Sequence, residues 1–320
     1  MQTTPARSPG PAVPPPPQAR LGLLAIFGST FLELVGYFML TPLLILRLKG
    51  DGVSTAMAGV FAATGWLGVF LMTPFASAVT RRLGRRPTLW LAALIPTVAT
   101  AGFALSPLLG VWFALKLAAG MASGLRWVLA EAVVAEFSPP GQRGRYVGLF
   151  ETMVGVTFVV GPALLAWIGP QNDAAIWTAL AFMAGGLLWS LLIPRLPAAP
   201  DAHEARVGLG GVWHAVLAHP MVMAVGFVGG FFESGLTAIL PLYGLALGLG
   251  ATLAALLVSA SGLGSALMML PAGLLADRMG HHPQQRWGNE AQARHTLMRV
   301  CAWITLGATV AIPFVAGTPW

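Results

Sequence analysis

Nine stretches of the chain run almost without charge for about 20 residues or more, the length a helix needs to cross roughly 30 Å of hydrocarbon. They fall at 21–46, 54–80, 87–106, 109–137, 145–169, 174–194, 220–246, 251–277 and 297–318. Each is apolar throughout rather than alternating, which predicts helices and argues against the alternating ten-residue strands of a membrane barrel. Gly, Pro and charge clusters punctuate them: Lys49-Gly50-Asp51-Gly52, Arg81 to Pro87, Ser106-Pro107, Pro139 to Arg145 and Gly169-Pro170. The first twenty residues, with Pro14-Pro15-Pro16-Pro17, lack core-forming side chains and read as a disordered tail. The apolar run after Arg20 is too long for a signal-peptide core, so it reads as a retained first helix.

Composition narrows the class to an all-α membrane protein. The chain is 56% hydrophobic and 9% charged, against about 25% charged residues in soluble domains. A soluble core has no room for that much apolar surface, so the lipid bilayer is the expected partner. The net charge of +7 invites a nucleic-acid reading. The cations, however, sit in short loops between spans and form no single patch, so no nucleic-acid partner is expected. They alternate from side to side: Arg7 and Arg20, Arg81 to Arg86, Arg143 and Arg145, Arg195 and Arg206, and Arg278 to Arg299 flank one side. The other side has Arg47 and Lys49. By the positive-inside rule the N-terminus is cytoplasmic and the location is the inner (plasma) membrane. Cys301 is the only cysteine, which excludes intrachain disulfides. His281 and His282 make a poor zinc site, so neither a metal nor a cofactor is expected.

An internal repeat organises the spans. Phe31-Leu32-Glu33 with Pro42-Leu43 returns about 200 residues later as Phe231-Phe232-Glu233 with Pro241-Leu242. Pro74 with Arg82-Leu83-Gly84 returns as Pro271 with Arg278-Met279-Gly280. Two similarly oriented halves of six spans are a design of secondary transporters. The expected organisation is a tail at 1–20, a six-helix half at 21–194, a cytoplasmic connector at 195–219 and three helices of a second half at 220–320. The expectation is a fragment lacking three helices rather than a naturally truncated product, since a half-built bundle turns polar interior groups toward lipid.

Short motifs carry a family resemblance. Pro271-Ala-Gly273-Leu-Leu-Ala-Asp277-Arg278-Met-Gly280 resembles the loop motif G-x-L-a-D-R-x-G-R-R of the major facilitator superfamily. There Gly273 permits close helix approach, Asp277 pairs with a neighbouring helix and Gly280 allows a tight turn. The first-half copy keeps Gly84-Arg85-Arg86 but has Ser77 for Gly and Arg81 for Asp, leaving Glu136 as a substitute carboxylate. Lys116-x-x-x-Gly120 resembles the family's R-x-x-x-G. Gly148 and Gly161-Pro162 are similar to the span-five signature of drug/proton antiporters, with Thr157 for its middle glycine. The resemblance covers residues 20–320 and implies the major facilitator fold.

Ionisable groups inside the spans are the candidate chemistry, because each costs roughly 2.5–3.5 kcal/mol to insert at mid-bilayer. Glu33 and Glu233 fall near the centres of repeat-related spans and predict a shared cleft; the bland alternative is carboxyls satisfied by neighbouring helices. Arg126 is at a depth that a long side chain connects to Glu131 or Glu151, as a structural ion pair or as a relay. Lys116 lies toward the outer side and is expected to snorkel or to cap packing. Of the tryptophans, Trp127 alone is expected to line a cavity; Trp66, Trp112, Trp167 and Trp189 read as belt or packing. The expected function is proton-coupled efflux of a small amphipathic substrate, with Glu33 or Glu233 carrying the proton. The alternatives are proton-coupled uptake of a sugar or organic acid, and a non-transporting receptor with a carrier fold. No H-E-x-x-H motif and no Ser/His pair lies within the spans, so an enzyme is not expected.

Overall fold

The computed structural model describes residues 17–139, 142–194, 209–281, 296, 298–307 and 310–311. Every regular element among them is helical. The helices are α1 (Pro17–Gly50), α2 (Thr55–Met72), α3 (Ala76–Leu83), α4 (Arg85–Leu105), α5 (Leu109–Phe137), α6 (Arg143–Ile168), α7 (Ala174–Ser190), α8 (Leu209–Ala218), α9 (Pro220–Ala246) and α10 (Ala251–His281). Seven spans among the described residues are long and apolar enough to cross a membrane, with α2 and α3 counting as one. Ala174–Ser190 and Met298–Gly307 are shorter apolar helices.

Two elements differ from the sequence pattern. The second span is interrupted by a 3-10 turn at Thr73–Phe75, because Pro74 donates no amide hydrogen and its ring crowds the preceding turn. The connector predicted as a plain link contains α8. Residues 195–208 of that connector lie outside the described residues.

The bundle is apolar outside as well as inside. Phe70, Leu188 and Leu67 are more than half exposed, in keeping with lipid as solvent. Inside, glycines bring backbones into direct contact. A Cβ on Gly161 would stand 2.8 Å from both the Val35 carbonyl oxygen and the Met39 amide nitrogen, so α6 crosses α1 without a side chain between them. A Cβ on Gly120 would meet the Gly65 carbonyl, which closes α5 on α2. Gly186 does the same for α7 on α1, 2.9 Å from the Glu33 amide nitrogen. On α10, Ser259 Oγ donates to the Val159 carbonyl at 2.9 Å, and Gly262 sits against the Phe158 backbone of α6. These crossings hold α1, α5 and α6 close enough for buried side chains of different helices to meet.

At the arginine-rich end, Gly84 reverses the chain between α3 and α4 with φ +87°, a backbone region that favours glycine. Arg85 does not face lipid headgroups: its side chain is buried and pairs with Glu136 of α5 at 2.6 Å. Arg86 stacks 4.4 Å above the Trp90 ring and donates to the Leu191 carbonyl at 3.0 Å. Arg81 and Arg82 are exposed.

Candidate functional site

The site grows from one face of α1. Ser29, Thr30, Glu33 and Tyr37 follow one another at helical spacing, so they form a polar stripe on an otherwise apolar helix. Helix α5 answers it with Arg126. The Arg126 Nε lies 2.7 Å from Glu33 Oε2, and each side chain is 5% exposed. Arg126 Nη2 donates to Ser29 Oγ at 3.0 Å and to Thr30 Oγ1 at 3.4 Å.

Two measures of the Glu33–Arg126 contact differ. The distance is that of a tight ion pair, yet neither Nε nor Oε2 satisfies the angular requirement of a hydrogen bond. The short distance defines the contact, so it is a charge pair held off the hydrogen-bond line. Arg126 Nη1 is buried and has no hydrogen-bond partner among the described residues. An unsatisfied guanidinium donor of this kind is costly in a low-dielectric interior.

The pair forms part of the wall of a cavity of about 300 Å³. The rest of its lining is largely apolar, with aromatic side chains Tyr37, Phe38, Trp66, Trp127 and Phe150 beside aliphatic ones such as Leu34 and Val154. Hydroxyls of Thr30, Thr73 and Ser123 and the backbone at Gly230 of α9 complete its polar surface. Among the described lining residues the ionisable groups are Glu33, Arg126 and the Tyr37 phenol. Phe38 stacks on Phe158 with ring centroids 3.6 Å apart, and Phe27 meets Phe150 edge-on, which fixes two of these walls from behind.

The remaining predicted residues divide. The carboxylate against Arg126 is Glu33, where depth along the spans had pointed to Glu131 or Glu151. Glu131 is half-buried on α5, one turn beyond Trp127, and does not line the cavity. Glu151 is half-buried on α6 and does not line the cavity. Glu233 lies in α9, but its side chain is outside the described residues. So are the side chains of Asp277 and Arg278 and the surroundings of Gly273 and Gly280 on α10. Gly148, Gly161 and Pro162 are buried in α6.

Lys116 does not snorkel. It is 5% exposed, 3.5 Å from Thr41 Oγ1, and lies over the rings of Tyr37 and Phe61 at 5.4 and 5.8 Å. Trp66 joins Trp127 in the cavity wall, which the sequence reading had reserved for Trp127. Ser29 and Thr30 were missed as partners of Arg126, although their spacing from Glu33 on α1 was the available signal.

The sequence profile of the Major Facilitator Superfamily matches residues 26–320. The MFS-type transporter YfkF of Bacillus subtilis is 26% identical over 244 residues, which cover 76% of this chain and 62% of YfkF. The class C tetracycline resistance protein of Escherichia coli is 31% identical over 166 residues, covering 51% of this chain and 42% of that protein. The chain thus spans less than two thirds of the length of either relative. Among solved structures, the human organic anion transporter MFSD10 (TETRAN) matches with a TM-score of 0.54 at 22% identity, covering 85% of this chain and 74% of that one. That likeness is one of fold.

Proposed function

The chain belongs to the Major Facilitator Superfamily, and from that premise we propose that it works as a proton-coupled secondary transporter of small amphipathic molecules across the inner (plasma) membrane. Glu33 is the proton carrier and Arg126 its resident counter-charge. One observation carries this reading: the buried Glu33–Arg126 pair stands in the wall of a cavity that is otherwise mostly apolar, with aromatic side chains among its walls. Protonating Glu33 dissolves the pair and frees the guanidinium, and deprotonating it restores the pair. These are two states that a substrate and a proton can bias in turn. The aromatic walls favour an amphipathic occupant over a sugar, whose hydroxyls would find few partners there.

Outward movement in exchange for protons is supported by the 31% identity to a tetracycline resistance protein and by Gly148 and Gly161-Pro162 in α6. A second reading, uptake of an organic acid together with a proton, is supported by Arg126. A guanidinium with an unmet donor is an anion's natural partner.

The test is flux in proteoliposomes that enclose a pH-sensitive dye, with a pH gradient imposed and amphipathic compounds of each charge supplied in turn. The expected result is compound-dependent proton movement in the wild type. Glu33→Gln is expected to abolish it while the protein elutes as a monodisperse species. Gradient-driven flux at the wild-type rate in Glu33→Gln would remove Glu33 from the carrier role.

A further inference from the structure

We infer that the occupant of this cavity is an amphipathic monocarboxylate, and that its carboxylate takes the place of Glu33 on Arg126 while Glu33 accepts one proton. The inference rests on the second form of the transporter reading above, in which an organic acid and a proton bind together, and gives it a substrate class and a binding stoichiometry.

Charge balance is the first argument. With the cavity empty, Arg126 and Glu33 together are neutral. An anion that entered beside the intact pair would leave a net negative charge in a wall of aromatic side chains. A cation that drew Glu33 away would leave the guanidinium bare. Each arrangement buries an uncompensated charge at a cost of several kcal/mol. An anion entering with a proton on Glu33 leaves the site neutral, so one proton accompanies one negative charge. The balance involves no covalent change: a carboxylate oxygen of Glu33 gains a proton drawn from water, and Arg126 exchanges one carboxylate for another.

The second argument is donor geometry. Arg126 uses Nη2 on Ser29 and Thr30. Its Nε and Nη1 have no aligned acceptor among the described residues. A planar carboxylate offers two oxygens to a guanidinium fork, and it supplies acceptors where Glu33 approaches one nitrogen off the hydrogen-bond line. A dianion is disfavoured because Arg126 is the only cation among the described lining residues. Leu34, Phe38, Trp66 and Val154 call for an apolar or aromatic body behind the acid group.

Among the described residues, Arg126 is the charged group in contact with Glu33. Helix α7 presents Gly186 to the Glu33 backbone, and α9 contributes Gly230 to the cavity. Tyr37 shares the α1 face, with Lys116 beyond its ring. Neither Glu131 nor Glu151 lines the cavity. The Glu233 side chain lies outside the described residues.

The experiment is a binding titration of the full chain in detergent with phenylacetate, its neutral amide phenylacetamide and its amine counterpart phenethylammonium. Tryptophan fluorescence reports occupancy, since Trp66 and Trp127 line the cavity. Proton uptake is followed with a pH dye in weak buffer. Phenylacetate is expected to bind at least tenfold more tightly than the amide or the amine, and to take up about one proton per molecule bound. Glu33→Gln is expected to keep or tighten phenylacetate binding and to lose proton uptake, because the competitor for Arg126 has gone. The neutral double variant Glu33→Gln/Arg126→Gln is expected to fold and to lose phenylacetate binding at least tenfold; it keeps the test decisive where Arg126→Gln alone misfolds. Tighter binding of phenethylammonium, phenylacetate binding without proton uptake in the wild type, or loss of phenylacetate binding in Glu33→Gln would overturn the proposal. Binding is read without flux, so its failure alongside proton-coupled transport of another amphipathic compound would leave the transporter reading standing. Intact binding with no transport would sink that reading alone.

Discussion

The ion pair shows what a helix sequence conceals about its own side chains. Depth along a span can be counted at about 1.5 Å per residue, but azimuth advances about 100° per residue, and two groups meet only when both agree. Glu131 is five positions after Arg126, about 140° around the helix, so it turns away from the Arg126 face. Glu33 was legible as a carboxylate in an apolar helix; that it faces Arg126 depends on the glycine crossings that set how α1 and α5 are rotated. The pair gives a stability prediction. Arg126→Gln strands Glu33 and is expected to destabilise the protein by about 3–5 kcal/mol, whereas Glu33→Gln/Arg126→Gln recovers most of that loss. Thermal unfolding in detergent compares the two, and an additive loss in the double variant would contradict the pairing. Lys116 predicts the opposite sign. Its cation–π contacts are worth about 0.5–2 kcal/mol, less than the several kcal/mol that burying an ammonium costs. Lys116→Met is therefore expected to melt at the wild-type temperature or above it, and a lower melting temperature would show that the charge itself holds α5 to α1 and α2.

At the scale of elements, span existence was legible and span shape was not. Hydrophobic length located the long helices, since a membrane-crossing segment has few ways to satisfy its backbone except as a helix. The same signal could not show that Pro74 breaks the second span while Pro42, Pro96 and Pro162 remain inside helices. Whether a proline interrupts a helix depends on whether packing around it holds the neighbouring turns. Glycine at crossings was read as a motif, and its physical reason appears in the contacts: Gly120 meets the Gly65 carbonyl, so a side chain at Gly120 would force α2 and α5 apart, whereas a Cβ on Gly65 meets the Lys116 side chain. Gly120→Val is expected to cut the yield of monodisperse protein severely. Gly59→Ala, where a Cβ has open space within 4 Å, is expected to be silent or slightly stabilising, because alanine favours the helix. Equal yields for the two variants in size-exclusion chromatography would show that the crossing tolerates separation.

For the whole molecule, the seam between α6 and α10 is where transport and architecture make the same demand. The sequence repeat assigns these helices to different halves, and a carrier that opens its central cavity alternately to the two sides must part such a seam at one end during each cycle. The contacts here are close: Ser259 Oγ reaches the Val159 carbonyl at 2.9 Å, and Gly262 lies on the Phe158 backbone. Small residues let the surfaces meet without interlocking side chains, so parting them leaves few buried polar groups unmet; the Ser259 hydroxyl is the main exception. Joining Val159→Cys to Ser259→Cys with a short bifunctional thiol reagent, in a Cys301→Ser background, is expected to stop proton-coupled flux, and cleaving a reducible linker is expected to restore it. Binding of a cavity ligand should survive the cross-link, because Glu33, Arg126 and the aromatic walls formed by α1, α2, α5 and α6 stay in place. Flux that continues at the wild-type rate in the fully cross-linked protein would mean that α6 and α10 move as one body, and that the boundary between rocking halves runs elsewhere than the repeat assigns it.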